Sequence, residues 1–226
     1  MATGAKRRRS DEGQGGQART RLARAAVIQA ARTLFLERGY AVTTIETISD
    51  LSDVPPATVY RLFASKLGIL RELLNVSVAG DDETVPVEDR PHVRALLADR
   101  DPRSQLSGFA GITRGIMSRT EPAHRILLSA AASDPDAAAL LAEQTRQRQQ
   151  GQAQIARSLA RAGALRPKLR EREAADVIHA LMSPEVYRLL VGDRGWPPER
   201  YEQWLAEILI SQLLPPPATG SERTRC

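Results

Sequence analysis

Thr58, Tyr60, Arg61 and Lys66 fall within the stretch SDVPPATVYRLFASK, residues 52–66. Together they carry the chemistry needed to grip a phosphate backbone and read a base edge. The planar fork of an arginine such as Arg61 matches guanine O6 and N7, worth about 1–3 kcal/mol of discrimination when bidentate. The Thr58 hydroxyl can bond a base or a phosphate. Tyr60 and Lys66 suit phosphates, which set register but carry no sequence information. Ala57 is small enough for close approach, and its methyl can meet that of a thymine. On a helical wheel Ala57, Tyr60, Arg61 and Ala64 share one face, with Pro56 at its start, while Val59, Leu62 and Phe63 share the other. From Pro56 to Phe63 there is room for about two turns, too few for a helix to persist alone in water. Other elements must therefore hold it.

Those elements are legible upstream and downstream. From Thr20 to Arg38, Val27, Ala31, Leu34 and Phe35 recur at helical spacing, and Gly39 supplies a stop. Thr43 and Glu46 have the spacing of a capping box, which predicts a second helix with an Ile45/Ile48/Leu51 stripe. The free backbone N–H groups expected at Thr43 and Thr44 offer a further phosphate contact. The chain breaks near Asp53, and Pro56 is tolerated in the first turn of the next helix. A fourth helix is predicted from Ser65 or Lys66 to Val76, with Leu67, Leu70, Leu73 and Leu74 facing inward. Thr44 to Phe63 thus reads as helix, tight turn, helix, the length of a helix-turn-helix unit, whose second helix enters the DNA major groove.

The chain of 226 residues carries a formal charge of +5, and the excess sits at one end. Lys6, Arg7, Arg8, Arg9, Arg19, Arg21 and Arg24 face only Asp11 and Glu12 in residues 1–25, and the remainder is balanced. Such an arm suits a polyanion, although a solvated tail has the same composition. Residues 1–18 read as a disordered basic arm, 19–79 as the DNA-binding domain, 80–214 as a larger helical domain and 215–226 as a flexible tail. The boundary is placed at the acidic, proline-bearing GDDETVPVEDRP. Beyond it the helical segments predicted are 91–98, 102–118, 121–132, 135–163, 171–191 and 198–214, with a break near Ser183 imposed by Pro184. No apolar run reaches the length of a membrane span. No apolar stretch follows the N-terminal basic residues, so no secretory signal is expected. The only cysteine, Cys226, cannot form an internal disulfide, which fits a reducing cytoplasm.

Catalysis has little support. His179, Ser183 and Glu185 lie close in sequence, as do His124 and Ser129, but nothing orients a nucleophile against a base. His92, His124 and His179 show no paired spacing and there is no cysteine cluster, so no metal or cofactor is expected.

The run AARTLFLERGYAVTTIETISDLSDVPPATVYRLFASKLGIL resembles the N-terminal DNA-binding domain of the TetR family of bacterial transcriptional regulators. The carriers are Ala31, Leu34, Phe35, Gly39, Tyr40, Thr43, Thr44, Ile48, Val54, Thr58, Tyr60, Phe63 and Lys66. The chain departs from the family in having Ser49 for the usual Ala, Leu51-Ser52 for Ala-Gly, and Pro55-Pro56 for Ser-Lys. The first two imply altered packing at the turn, and the prolines remove a hydroxyl that would cap the helix or touch phosphate. The resemblance implies an all-α chain: a three-helix helix-turn-helix domain followed by a larger helical ligand-binding and dimerisation domain. It further implies a cytoplasmic repressor, released from a palindromic double-stranded DNA operator by a small-molecule effector.

The alternative is a DNA-binding dimer with no inducer, whose second domain serves assembly or a protein partner. Val177, Ile178 and Leu181, with Trp204, Leu205 and Ile208, form stripes that can close an intramolecular core or meet their copies in a four-helix homodimer interface. Candidate effector contacts are Phe109, Ile112, Ile116, Met117, His124, Leu127 and Leu128, which mix apolar bulk with one polar group.

Overall fold

The computed structural model describes residues 4–79 and 89–216. Most of the acidic linker and the tail 217–226 lie outside the described residues. Four helices open the chain: α1 (Gly4–Arg38), α2 (Ile45–Ser52), α3 (Pro56–Phe63) and α4 (Lys66–Ala79). Six more follow: α5 (Pro91–Ala98), α6 (Pro102–Ala131), α7 (Pro135–Arg161), α8 (Glu171–Leu181), α9 (Pro184–Tyr187) and α10 (Pro198–Leu213). Among the described residues there is no strand. The segment read as a disordered arm is helical from Gly4 onward. It holds no proline, and lengthening a helix already nucleated by a packed stretch requires no new nucleus.

Two compact units emerge. Of the described residues, the first comprises 4–77 and 122–141, the second 78–79, 89–121 and 142–216. In the first unit α1 buries Val27, Ala31, Leu34 and Phe35 against Ile45 and Ile48 of α2, Val59 and Phe63 of α3, and Ile69 and Leu70 of α4. Burying Val59 and Phe63 contributes roughly 1.5–3 kcal/mol each, which is how so short a helix as α3 persists. Gly39, at φ 88°, ends α1 in the left-handed region where a side chain is strained, and its N–H closes on Phe35 O at 3.1 Å.

The segments predicted as 102–118 and 121–132 are one helix, α6, with Pro122 inside it. A mid-helix proline removes a backbone bond and costs about 3 kcal/mol. The helix continues because both flanks are anchored: Leu106, Phe109, Ala110 and Met117 lie in the second core, and Ala123, Ile126, Leu127 and Ala130 in the first. The break at Pro184 is present. Ser183 caps α9 by accepting from Val186 N at 3.3 Å, and a π-helical turn over Arg188–Asp193 replaces the last predicted α-helical residues. The second core gathers Leu106, Ile155, Leu159, Ile178, Tyr201, Leu205 and Leu209. Gln105, 2 % exposed, ties α5, α6 and α7 through Leu96 O at 2.8 Å and Ser158 Oγ at 3.2 Å.

Candidate nucleic-acid interface

Pro55 provides no side-chain cap for α3; its carbonyl instead accepts from Thr58 N at 2.8 Å and Val59 N at 3.1 Å. The missing hydroxyl is thus replaced by main chain. Pro56, Ala57, Tyr60 and Arg61 are exposed and Thr58 is half-buried, while Val59 and Phe63 are buried. Tyr60 is 50 % exposed and shares its face with Arg61. An exposed helical face carrying a hydroxyl, a phenol and a guanidinium can donate to phosphates and base edges.

The α2 end differs from expectation. Its N-cap is Thr44, not Thr43: Thr44 Oγ1 accepts from Thr47 N at 3.2 Å, and Thr47 Oγ1 accepts from Thr44 N at 3.1 Å. Thr43 is 1 % exposed and donates to Gly39 O at 2.8 Å, so its hydroxyl faces inward rather than toward a phosphate. The Glu46 carboxyl is held below the usual carboxylate range by its own backbone N–H and then by the Thr44 hydroxyl. A carboxylate already stands where a phosphate was expected. Leu51 is 53 % exposed, and the inner stripe is completed by Ser49, which donates to Val54 O at 2.7 Å.

Lys66 is also placed differently. Its Nζ donates to Tyr40 O and Thr43 O, each at 2.8 Å, and lies 4.3 Å from the Tyr40 ring centroid. Burial lowers the ammonium's pKa, opposed by Asp134. Burial, then the charge and hydrogen bond of Asp134, push the Tyr40 phenol up to about 12. Lys66 therefore clamps the α1–α2 turn. Sequence reasoning missed a second clamp. Arg24 bonds Glu72 Oε1 at 2.8 Å and Leu62 O at 3.2 Å, and lies over the Phe63 ring at 5.0 Å. Its spacing one turn before Val27, on the packed face of α1, was the available signal.

The other predicted sets are divided by the fold. Phe109 and Met117 are buried in the second core with Ile112 packed against it, whereas Leu127 is buried in the first. Ile116, His124 and Leu128 are half-buried. The seven do not form one group. Ile178 and Leu205 are fully buried inside their own chain, where α8 packs on α10; Val177, Leu181, Trp204 and Ile208 are only half-buried.

His179 Nδ1 lies 2.8 Å from Gln152 Oε1, and Gln152 Nε2 donates to Met182 O at 3.3 Å. Burial, then Arg148, lower the His179 pKa, against Glu185 and Asp176. The unfolded histidine therefore takes up its proton at higher pH than the folded one, and stability present above about pH 6.5 is lost on acidification below it. The Tm of the wild type is expected to fall more between pH 7 and pH 5 than that of His179→Gln; equal falls count against the assignment. Among the described residues no His, Cys, Asp or Glu cluster suited to a metal occurs, and no helix is long and apolar enough to cross a membrane.

Among the described residues the protein is all-helical, with an N-terminal helix-turn-helix whose second helix, α3, carries the exposed Ala57, Tyr60 and Arg61 face. Residues 27–73 match the family model described as bacterial regulatory proteins, tetR family. Solved structures share the fold. NalD of Pseudomonas aeruginosa, the secondary repressor of the MexAB-OprM multidrug efflux pump, is 23 % identical at a TM-score of 0.66, with 86 % of this chain and 98 % of that one covered. The ketosteroid transcriptional regulator KstR2 of Mycobacterium tuberculosis is 20 % identical at 0.57, covering 85 % and 95 %. The fatty acid degradation regulator FadR of Bacillus halodurans is 15 % identical at 0.60, covering 82 % and 93 %. No curated protein sequence is similar enough to be matched to this chain.

Proposed function

We propose that the protein is a homodimeric, cytoplasmic repressor that reads a palindromic operator with α3 and is released from it by a small-molecule effector. The exposed Ala57, Tyr60 and Arg61 face, with Val59 and Phe63 anchored behind it, carries this reading. Arg61 reads a base, Ala57 and Thr58 approach the groove, and Tyr60 meets a phosphate. Two recognition helices need a dimer to reach half-sites about 34–36 Å apart. Val177, Leu181, Trp204 and Ile208, half-buried on packed helices, are the side chains offered for that dimer. NalD's description as a repressor supports the direction of control.

Selection of genomic fragments by purified protein tests the reading. An inverted repeat is expected to be enriched, and Arg61→Ala to lose about 1–3 kcal/mol of discrimination at one base pair of each half-site. No enrichment by either protein at moderate salt counts against the proposal. The burial of Phe109, Met117 and Leu127 in two separate cores favours the second reading, a DNA-binding dimer with no inducer. The selected fragment decides between the two, because only the first predicts release by a small molecule.

A further inference from the structure

We infer that the Tyr201 hydroxyl is the anchoring donor for an uncharged, largely apolar effector bearing a carbonyl-type acceptor. This rests on the ligand-responsive reading above. Tyr201 is fully buried on α10, yet its Oη has no hydrogen-bonding partner among the described residues. A buried phenol left unsatisfied bears the full desolvation of its polar atom, which phenylalanine at the same position avoids. A ligand acceptor gives that donor a partner.

The surroundings narrow the ligand's chemistry. The Tyr201 ring meets Tyr187 edge-on at 4.9 Å and Trp204 at 6.0 Å, and it lies in one core with Phe109, Met117 and Leu205. These are partners for an apolar body. Tyr187 Oη pairs with Ser118 Oγ at 2.8 Å. Two hydroxyls hold two hydrogens and their mutual bond uses one, so this pair keeps one hydrogen to donate. Charge does not favour an ion. Arg114 is paired with Glu202 at 2.7 Å, and the Arg200 guanidinium is stacked on Trp196 at 3.9 Å. Burial, then Tyr187, push the Tyr201 phenol up, and no cation acts to lower it. The cations nearby are already engaged, Arg114 by a carboxylate and Arg200 by a ring face, and for an ammonium the carboxylate of Glu202 is already paired, leaving only neutral hydroxyls.

The test uses 2-nonanone and γ-nonalactone as neutral probes against nonanoate and nonylammonium. Binding is read from the emission of Trp196 and Trp204, the chain's two tryptophans, and from release of the selected operator fragment. Wild type is expected to bind the neutral probes. Tyr201→Phe is expected to bind them about tenfold more weakly, the loss of one ordinary hydrogen bond, while unfolding without ligand at the same temperature or higher. Equal binding by Tyr201→Phe overturns the assignment, as does a lower unfolding temperature, which would show that the hydroxyl already serves the fold. If the charged probes release DNA from both proteins alike, the ligand-responsive reading stands and Tyr201 is the wrong anchor. If no probe alters emission or DNA binding, the ligand-responsive reading falls with it.

Discussion

Gly68→Ala is expected to destabilise the protein by on the order of 3 kcal/mol, seen as a lower urea midpoint in far-UV circular dichroism. A Cβ at Gly68 would lie 1.9 Å from Phe63 O and 3.1 Å from Phe63 C. Both are backbone atoms, so no rotamer change relieves the overlap. The joint is also fixed from several sides. Phe63 O accepts from Ser65 N at 2.7 Å, Gly68 N donates to Ser65 Oγ at 3.0 Å, and Ala64 sits at φ 62°. Relief requires the end of α3 to move away from the start of α4, which pulls buried Phe63 from its core. Gly108→Ala is the control. There the added carbon meets Leu96 Cδ2 at 2.4 Å, the far end of a flexible side chain, so a smaller loss is expected. Gly68→Ala unfolding at the wild-type urea concentration would show that the joint relaxes freely. If it folds but no longer selects an operator, the joint sets the angle of α3 rather than its stability.

Much of the first unit was readable because helical periodicity and packing agree there. Val27, Ala31, Leu34, Phe35, Ile45, Ile48, Val59 and Phe63 all face the core as their spacing indicates. The errors cluster where three-dimensional neighbours override local pattern. A repeat of three residues drifts by about 60° per step, so Leu51 ends about 120° from Ile45 and leaves the inner face. Ser49 takes the position because the turn brings the Val54 carbonyl to its hydroxyl, an acceptor that no helical wheel displays. The capping box fell one residue early because Thr43 and Glu46 spell the usual pattern, whereas Thr44 and Thr47 close it with two hydroxyls.

The candidate site divides in the same way. Exposure of Ala57, Tyr60 and Arg61 followed from the wheel, since their face is set by α3 alone. Periodicity in α6 could show which residues share a face but not which core each face enters. Phe109 and Leu127 were therefore grouped although the helix passes from one unit into the other between them. Val177 and Ile178 posed a similar problem on α8: adjacent positions differ by about 100°, and only the packed α10 reveals which is interior.

Lys66→Met is expected to lower stability by about 2–3 kcal/mol and to weaken operator binding by a larger factor. The methionine keeps an apolar stem but supplies no donor to Tyr40 O or Thr43 O, both bonded at 2.8 Å. Hydrogen bonds from a charged donor contribute about 1.5–3 kcal/mol each, discounted here because the ammonium is partly solvated. The cation over the Tyr40 ring adds about 0.5–1 kcal/mol. The loosened carbonyls immediately precede the Thr44 cap, so α2 loses its fixed start and α3 is no longer presented at one angle. Two measurements separate this role from a phosphate contact. A phosphate ligand, when lost, reduces the salt slope of DNA binding by about one and leaves the urea midpoint unchanged. A clamp, when lost, lowers the midpoint and preserves the slope, because every residue that meets a phosphate is still present. A flatter slope with an unaltered midpoint would return Lys66 to the DNA-contacting set, and the bonds to Tyr40 O and Thr43 O would then describe only its resting position.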